Sequence, residues 1–148
     1  MSFAFGKSST AKLDTVHHEL RETAVHALSW GIYDFTIVWG WRNEEQQEQA
    51  FLSGNSTKHF PDSKHNFMDA EGKPLSDAFD FAPWCRLPDG KMGIPWKDSH
   101  AFAVVGGIIL AAARDLGYSH LRYGGDWDMD GLTTDQTLMD WGHVERAS

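Results

Sequence analysis

The sequence predicts an α+β fold in which a small, mainly antiparallel sheet packs with about three helices. Apolar side chains in residues 11–30 follow the three-and-four spacing of a helix with one buried face. Residues 35–39 are β-branched and aromatic, which is typical of a strand. The later strands are short and are gathered with one further helix instead of alternating with helices, so a parallel α/β sheet is not expected.

The first predicted helix covers about residues 11–30. Ser8, Ser9 and Thr10 are candidates for its N-cap, because a hydroxyl group there accepts a backbone N–H. Gly31 is expected to end it. The predicted buried face consists of Leu13, Val16, Leu20, Ala24, Ala27 and Leu28.

A second helix is predicted after the strand at residues 35–39. Asn43 is expected to cap this helix, which continues to about Ser53, with Gly54 directly after its end. The third helix is expected to start at Asp98 or Ser99 and to end near Gly117.

The remaining chain is predicted to contain turns and short strands. Residues 69–74 carry a strong turn signal, and residues 83–95, with three prolines and two glycines, are expected to be irregular. Strands are predicted at residues 78–82, 121–123 and 142–145. Gly106 and Gly107 inside the third helix cost about 1 kcal/mol each, which close packing of the helix against the sheet would explain.

Composition and charge exclude several classes of partner. The 148 residues carry a net charge of −8, and the Lys and Arg residues are scattered, so neither nucleic acid nor an anionic membrane is expected as a partner. One cysteine allows no intramolecular disulfide. The first seven residues lack the apolar core of a signal peptide, and the most apolar run, residues 101–113, is too short to span a bilayer.

Three short stretches, far apart in the chain, carry the side chains of a one-metal hydrolytic site. His65, Asp80 and His143 offer two imidazoles and a carboxylate, a set that suits Zn²⁺ with a fourth position open for water. Asp140, three residues before the last histidine, could take a proton from that water. Separations of 15 and 63 residues form no compact ligand motif, so spacing alone leaves open that these are unrelated polar residues.

The surrounding residues resemble a family of zinc peptidases that cut peptidoglycan peptides. Its pattern is Ser-x-His, Ala-x-Asp and then Asp or Glu-x-x-His, which here fall at residues 63–65, 78–80 and 140–143. The phage L-alanyl-D-glutamate endopeptidases are the most similar branch. Its further matches run through nearly the whole chain, at Leu13, Asp34-Phe35, Gly40-Trp41-Arg42, Gln47, Gly54 and Arg122-Tyr123-Gly124-Gly125-Asp126-Trp127.

The resemblance implies roles for five side chains. His65, Asp80 and His143 would be the three ligands of one catalytic Zn²⁺. Asp140 would be the general base and then the acid for the leaving amine, unless it orients a ligand histidine instead. Arg42 would bind a substrate carboxylate or stabilise the oxyanion, unless it is an arginine of the surface or helix start.

One departure from the family lies between the first two ligands. The family usually has a step of seven residues from the histidine to the aspartate, whereas His65 and Asp80 are 15 apart. About eight extra residues are expected to form an excursion around residues 71–74, because a longer loop costs little once it is closed. Whether the excursion covers the substrate as a lid or belongs to the scaffold is left open.

The resemblance implies a zinc peptidase that hydrolyses the L-alanyl-D-glutamate bond of peptidoglycan stem peptides and acts as a phage endolysin, on the fold shared by Hedgehog domains and D-alanyl-D-alanine metallopeptidases. A D-alanyl-D-alanine carboxypeptidase or dipeptidase is an alternative. A non-catalytic zinc-bearing binding domain on the same fold is another, although a site without catalysis needs no base such as Asp140.

The expected setting of this activity follows from the same resemblance. Residues 1–148 would be a single catalytic domain without a separate wall-binding domain, and the protein would be a monomer. It would be made in the host cytoplasm without a signal peptide, and it would reach the cell wall through a holin-type pore.

Overall fold

A computed structural model describes residues 3–126, 129 and 140–147 of the chain. These residues form an α+β fold, as predicted, with four α-helices where about three were expected. The helices are α1 (Lys7–Leu13), α2 (His18–Ser29), α3 (Glu44–Leu52) and α4 (Ser99–Asp115), and a 3₁₀ turn covers Lys64–Asn66. The strands are β1 (Phe35–Trp39), β2 (Ala78–Pro83), β3 (Cys85–Arg86), β4 (Met92–Gly93), β5 (Leu121–Tyr123) and β6 (His143–Arg146).

The main sheet has the strand order β1-β2-β6-β5, and every neighbouring pair is antiparallel. Its register places Asp80 opposite His143 on the two central strands. Two rungs further along, Glu145 lies between Ala78 and Arg122. Two residues that are 63 positions apart in sequence are therefore direct neighbours in the sheet.

Helix α4 packs against one face of this sheet, helix α2 packs on α4, and their apolar residues form the core together with the sheet. Because side chains alternate across a strand, Phe79, Phe81 and Val144 point into that core while Asp80 and His143 point to the opposite face. The charged side chains of Asp80 and His143 are thus kept out of the apolar layer. No helix among the described residues combines the length and apolar character that crossing a membrane requires.

The prediction of one helix over residues 11–30 was wrong, because the chain leaves the helical path between α1 and α2. Val16 forms a parallel bridge with Ser76 there. The Ser76 N–H donates to the Thr15 carbonyl at 2.8 Å, and the His17 N–H donates to the Ser76 carbonyl at 2.9 Å. A partner 60 residues away therefore captures backbone groups that a continuous helix would have used.

The predicted N-cap of the first helix was also wrong. Gly6 occupies the N-cap position, and Ser9 lies buried inside α1. The Ser9 hydroxyl accepts the Ile37 N–H at 3.1 Å and lies 2.9 Å from the Thr36 hydroxyl. Ser9 joins the helix to β1 rather than starting the helix.

The strand and helix predictions around residues 35–54 are confirmed. Asn43 forms a capping box with Gln46, in which each side chain accepts the backbone N–H of the other, at 2.9 and 3.0 Å. Gly54 follows α3 with a positive φ of 82°. The strand prediction for residues 121–123 also matches β5.

The extra residues between His65 and Asp80 form a turn on a fixed base. At its tip, Asp69 Oδ1 accepts the N–H groups of Glu71 and Lys73, both at 2.9 Å. At its base, the Asp77 N–H donates to the Lys64 carbonyl at 2.9 Å. The base keeps the residue before His65 beside the start of β2 despite the longer connection. Residues 83–95, predicted to be irregular, instead contain the β3–β4 hairpin.

Gly106 and Gly107 provide a matched pair for testing how α4 packs on the sheet. A Cβ on Gly106 would lie 2.5 Å from Cζ of Tyr123, whereas a Cβ on Gly107 would meet nothing within 4 Å. Gly107→Ala should therefore raise the free energy of unfolding by up to about 1 kcal/mol through helix propensity. Gly106→Ala should lower it by about 1–3 kcal/mol, because the Tyr123 ring must move. Urea denaturation of both variants measures this, and equal effects would contradict it.

Candidate metal centre

His65, Asp80 and His143 come together on the face of the sheet opposite the core. His65 Nε2 lies 3.2 Å and His143 Nδ1 lies 2.9 Å from Asp80 Oδ1. Within the described part of the chain, this is the one group of three or more His, Cys, Asp or Glu side chains whose donor atoms all lie within 4.8 Å of one another. The side chains of both histidines are buried, and that of Asp80 is 17% exposed. The three residues that the sequence predicted as metal ligands are therefore neighbours in the fold.

His65 is oriented by the 3₁₀ turn and by a backbone carbonyl. The Ser63 hydroxyl accepts the His65 N–H at 3.2 Å and so caps this turn. Nδ1 of His65 lies 2.8 Å from the Gly40 carbonyl oxygen. Because a carbonyl oxygen can only accept, Nδ1 carries a proton, and Nε2 is the nitrogen that faces Asp80 and could bind a metal ion.

His143 is held between two carboxylates. Its Nδ1 faces Asp80, and its Nε2 lies 2.9 Å from Oε1 of Glu145. Glu145 was not among the site residues predicted from the sequence. The signal was present, because residues i and i+2 of a strand share a face, which places Glu145 beside His143 on β6.

The two oxygens of Asp80 have different partners. Oδ1 faces both histidines, and Oδ2 accepts a hydrogen bond from Arg42 Nη2 at 3.0 Å. Burial opposes ionisation, but the charge of His65 and hydrogen bonds from both histidines hold the pKa of Asp80 far below its usual range. Asp80 is therefore a carboxylate with one oxygen available to a metal ion and the other fixed by an arginine.

Arg42 is a buried residue that contacts a ligand. It is 4% exposed, and its guanidinium carbon lies 5.0 Å from the centre of the Trp39 ring. This position excludes the alternative of a surface arginine. The hydrogen bond to Asp80 gives Arg42 a positioning role, and contact with a substrate carboxylate or oxyanion stays a prediction.

Asp140 lies beside the cluster in a tight turn that precedes β6. Its N–H donates to the Gly124 carbonyl at 3.1 Å, and its own carbonyl accepts the His143 N–H at 3.2 Å. A Cβ on Gly124 would lie 2.2 Å from the Asp140 carbonyl oxygen, so only glycine permits this approach. Burial and the negative charge of Asp80 raise the pKa of Asp140. A carboxyl group with a raised pKa is better suited to accept and return a proton.

The protonation of His143 is governed by its two carboxylate neighbours. Burial alone would lower its pKa, but the hydrogen bonds to Asp80 and Glu145 raise the pKa of His143 to about 10. Burial likewise opposes the charge of Glu145, and the hydrogen bond from His143 with nearby cations lowers the pKa of Glu145 to about 2. Without a metal ion, this cluster is a chain of buried ion pairs around a protonated His143.

The cluster fits a divalent metal ion. Two imidazole nitrogens and one carboxylate oxygen are the donor set of many catalytic zinc sites, with ligand bonds of about 2.0–2.2 Å. A tetrahedron with such bonds has edges of roughly 3.3–3.6 Å. The His65–Asp80 contact of 3.2 Å is close to that range, and the His143–Asp80 contact of 2.9 Å would lengthen slightly on metal binding. A divalent cation would also neutralise the charge of the Asp80 carboxylate, as the positive charge of protonated His143 does here.

Comparisons with known proteins agree on one family. The family described as "Phage L-alanyl-D-glutamate peptidase" matches residues 1–147. The L-alanyl-D-glutamate peptidase of Escherichia phage T5 is 40% identical over 149 residues, covering 98% of each protein. The crystal structure of the Serratia marcescens L-Ala D-Glu endopeptidase ChiX superposes with a TM-score of 0.69 and 22% identity, over 98% of this chain and 90% of that one. At that identity, ChiX shows similarity of fold.

Zinc affinity is expected to depend on pH through His143. Metal binding at Nδ1 must displace a proton, and the pKa of His143 is raised from 6.5 to about 10. The dissociation constant should therefore fall by up to about tenfold per pH unit between pH 6.5 and 8.5. The same proton stabilises the metal-free fold below pH 6.5, and this contribution is lost as the pH rises through about 10. Competition with a chromogenic chelator measures the affinity, and a pH-independent constant would contradict the assignment.

Proposed function

The chain belongs to the family of phage L-alanyl-D-glutamate peptidases, and we propose that it hydrolyses that bond of peptidoglycan with one Zn²⁺ held by His65, Asp80 and His143. It is a hydrolase of peptidoglycan, as the family match and the relative from phage T5 establish. The observation that carries the zinc proposal is the buried cluster of three ligand side chains. Asp140 lies close enough for the charge on Asp80 to raise its pKa.

The choice of bond rests on the relatives rather than on the pocket. The matching family and the phage T5 protein are both named for L-alanyl-D-glutamate cleavage. A D-alanyl-D-alanine carboxypeptidase or dipeptidase would share the ligand set, so it is the alternative against which the products must be examined. If the chain were instead a non-catalytic binding domain, the half-buried carboxyl group of Asp140 would have no assigned function.

The proposed mechanism assigns one task to each side chain. His65, Asp80 and His143 would hold the zinc ion, which would supply a Lewis acid for the carbonyl oxygen and lower the pKa of a water molecule. Asp140 accepts a proton as water adds to the L-alanyl carbonyl carbon, and it gives that proton to the D-glutamate nitrogen as the C–N bond breaks. Arg42 holds Oδ2 of Asp80 and leaves Oδ1 for the metal. We further propose that Arg42 contributes positive charge towards the oxyanion.

The proposed setting is lysis of the host cell late in phage infection. We propose that the chain acts as a one-domain, monomeric endolysin, and the continuous core that joins α2, α4 and the sheet supports a single domain. Release from the cytoplasm to the wall through a holin-type pore is part of this proposal.

Digestion of purified peptidoglycan, followed by mass spectrometry, tests the activity and the role of Asp140. The zinc-loaded parent should release fragments with a new N-terminal D-glutamate. Asp140→Asn should lower the rate by about 10²–10⁴-fold at equal zinc content, because it removes the general base. Asp115→Asn is the matched control, since that aspartate is exposed and pairs with His26 on the helical layer. Its rate should equal that of the parent.

Three outcomes would count against parts of this proposal. Released D-alanine would place the protein among the carboxypeptidases or dipeptidases. Full activity in Asp140→Asn would assign the proton transfer to another group. Absence of cleavage by the parent, with one zinc bound, would support the non-catalytic binding domain.

A further inference from the structure

Glu145 is a buried carboxylate on the same face of β6 as the metal ligand His143. It is 6% exposed and lies two rungs of the sheet away from the Asp80–His143 rung. An isolated charge in such a position would be strongly unfavourable. Its neighbours must therefore explain why the chain keeps an acidic residue there.

The two oxygens of Glu145 have separate partners. Oε1 lies 2.9 Å from Nε2 of His143. Oε2 accepts two hydrogen bonds from the Arg122 guanidinium, at 2.9 Å from Nε and 2.7 Å from Nη2, and lies 3.1 Å from the Lys64 ammonium. Two cations thus hold one carboxylate in place and keep it ionised. One oxygen is used for this attachment, and the other is left for the histidine.

This attachment determines which nitrogen of His143 can bind a metal ion. An ionised carboxylate only accepts hydrogen bonds, so Nε2 of His143 must carry a proton when it contacts Glu145. Nδ1 is then the nitrogen with a lone pair for the metal. His65 has the opposite arrangement, since its Nδ1 donates to the Gly40 carbonyl and its Nε2 faces Asp80. The two ligand histidines are fixed in opposite tautomers by different acceptors.

We propose that Glu145, held by Arg122 and Lys64, is a positioning residue that fixes His143 in the Nε2–H tautomer and so selects Nδ1 as its metal-binding atom. This inference rests on the proposed metal site. It assigns a shared task to residues of three separated segments: Lys64 precedes the first ligand, Arg122 lies on the edge strand β5, and Glu145 follows the last ligand by two positions. A carboxylate that accepts a hydrogen bond from the other ring nitrogen of a metal-bound histidine typically strengthens metal binding by about 10–100-fold.

Nitrogen-15 NMR of the zinc-loaded parent protein tests the tautomers directly. The pattern of couplings between ring protons and ring nitrogens distinguishes an Nε2–H histidine with bound Nδ1 from the reverse. We expect the first pattern for His143 and the second for His65. Zinc bound to Nε2 of His143 would overturn the inference and leave the peptidase proposal intact. Absence of zinc from both histidines, with cleavage retained, would instead overturn the proposed metal site.

The zinc affinities of two Glu145 variants test whether Glu145 positions His143 or only fills space beside it. Glu145→Ala should raise the zinc dissociation constant by about 10–100-fold, because Nε2 loses its acceptor. Glu145→Gln keeps the size of the side chain and one of its two acceptor oxygens, so it should weaken zinc binding less than Glu145→Ala does. Glu19→Ala is the matched control, because Glu19 also contacts an arginine and a histidine, Arg146 and His120, but touches no ligand. It should bind zinc as the parent does.

Affinity of Glu145→Ala within twofold of the parent value would overturn the inference. Equal weakening of zinc binding in Glu145→Gln and Glu145→Ala would also overturn it, because the charge of Glu145 alone would then explain the effect. Should Glu145→Ala fail to fold, the NMR assignment in the parent and the affinity of Glu145→Gln still decide the matter.

Discussion

The site depends above all on Asp80, a carboxylate placed where three elements meet. Its Oδ1 contacts both histidines, and its Oδ2 accepts a hydrogen bond from Arg42, so the two oxygens have different partners. The strand β2 that carries it is paired on both sides, which leaves Asp80 little freedom to move. Removing Asp80 would leave Arg42 and His143 as buried groups without this counter-charge, which is more costly than losing a surface ion pair.

The alternation of side chains on the central strands separates folding from chemistry. Phe79 and Val144 pack into the core, and the next residues along the same strands, Asp80 and His143, form the site. A substitution on one face is therefore expected to act chiefly on stability, and one on the other face on metal binding. Tyr123 joins the two layers, because its ring packs on Gly106 and its hydroxyl donates to the Trp141 carbonyl at 2.5 Å.

Local patterns predicted the elements that local interactions determine, such as the Asn43 N-cap and strand β5. The metal ligands were found through a family pattern, since their spacing alone left them ambiguous. The break between α1 and α2 depends on the bridge from Val16 to Ser76, which no local pattern contains. Glu145 was missed for a different reason: its place beside His143 on β6 could be inferred from the strand, but its ion pair with Arg122 requires the register of β6 against β5.

Diffraction from crystals of the zinc-loaded protein, recorded on both sides of the zinc absorption edge, would locate the metal ion. We expect one anomalous peak bonded to Nε2 of His65, Nδ1 of His143 and an oxygen of Asp80, with Asp140 close by but not bonded. A zinc ion located elsewhere, or an intact His143–Asp80 ion pair in zinc-saturated crystals, would contradict this expectation.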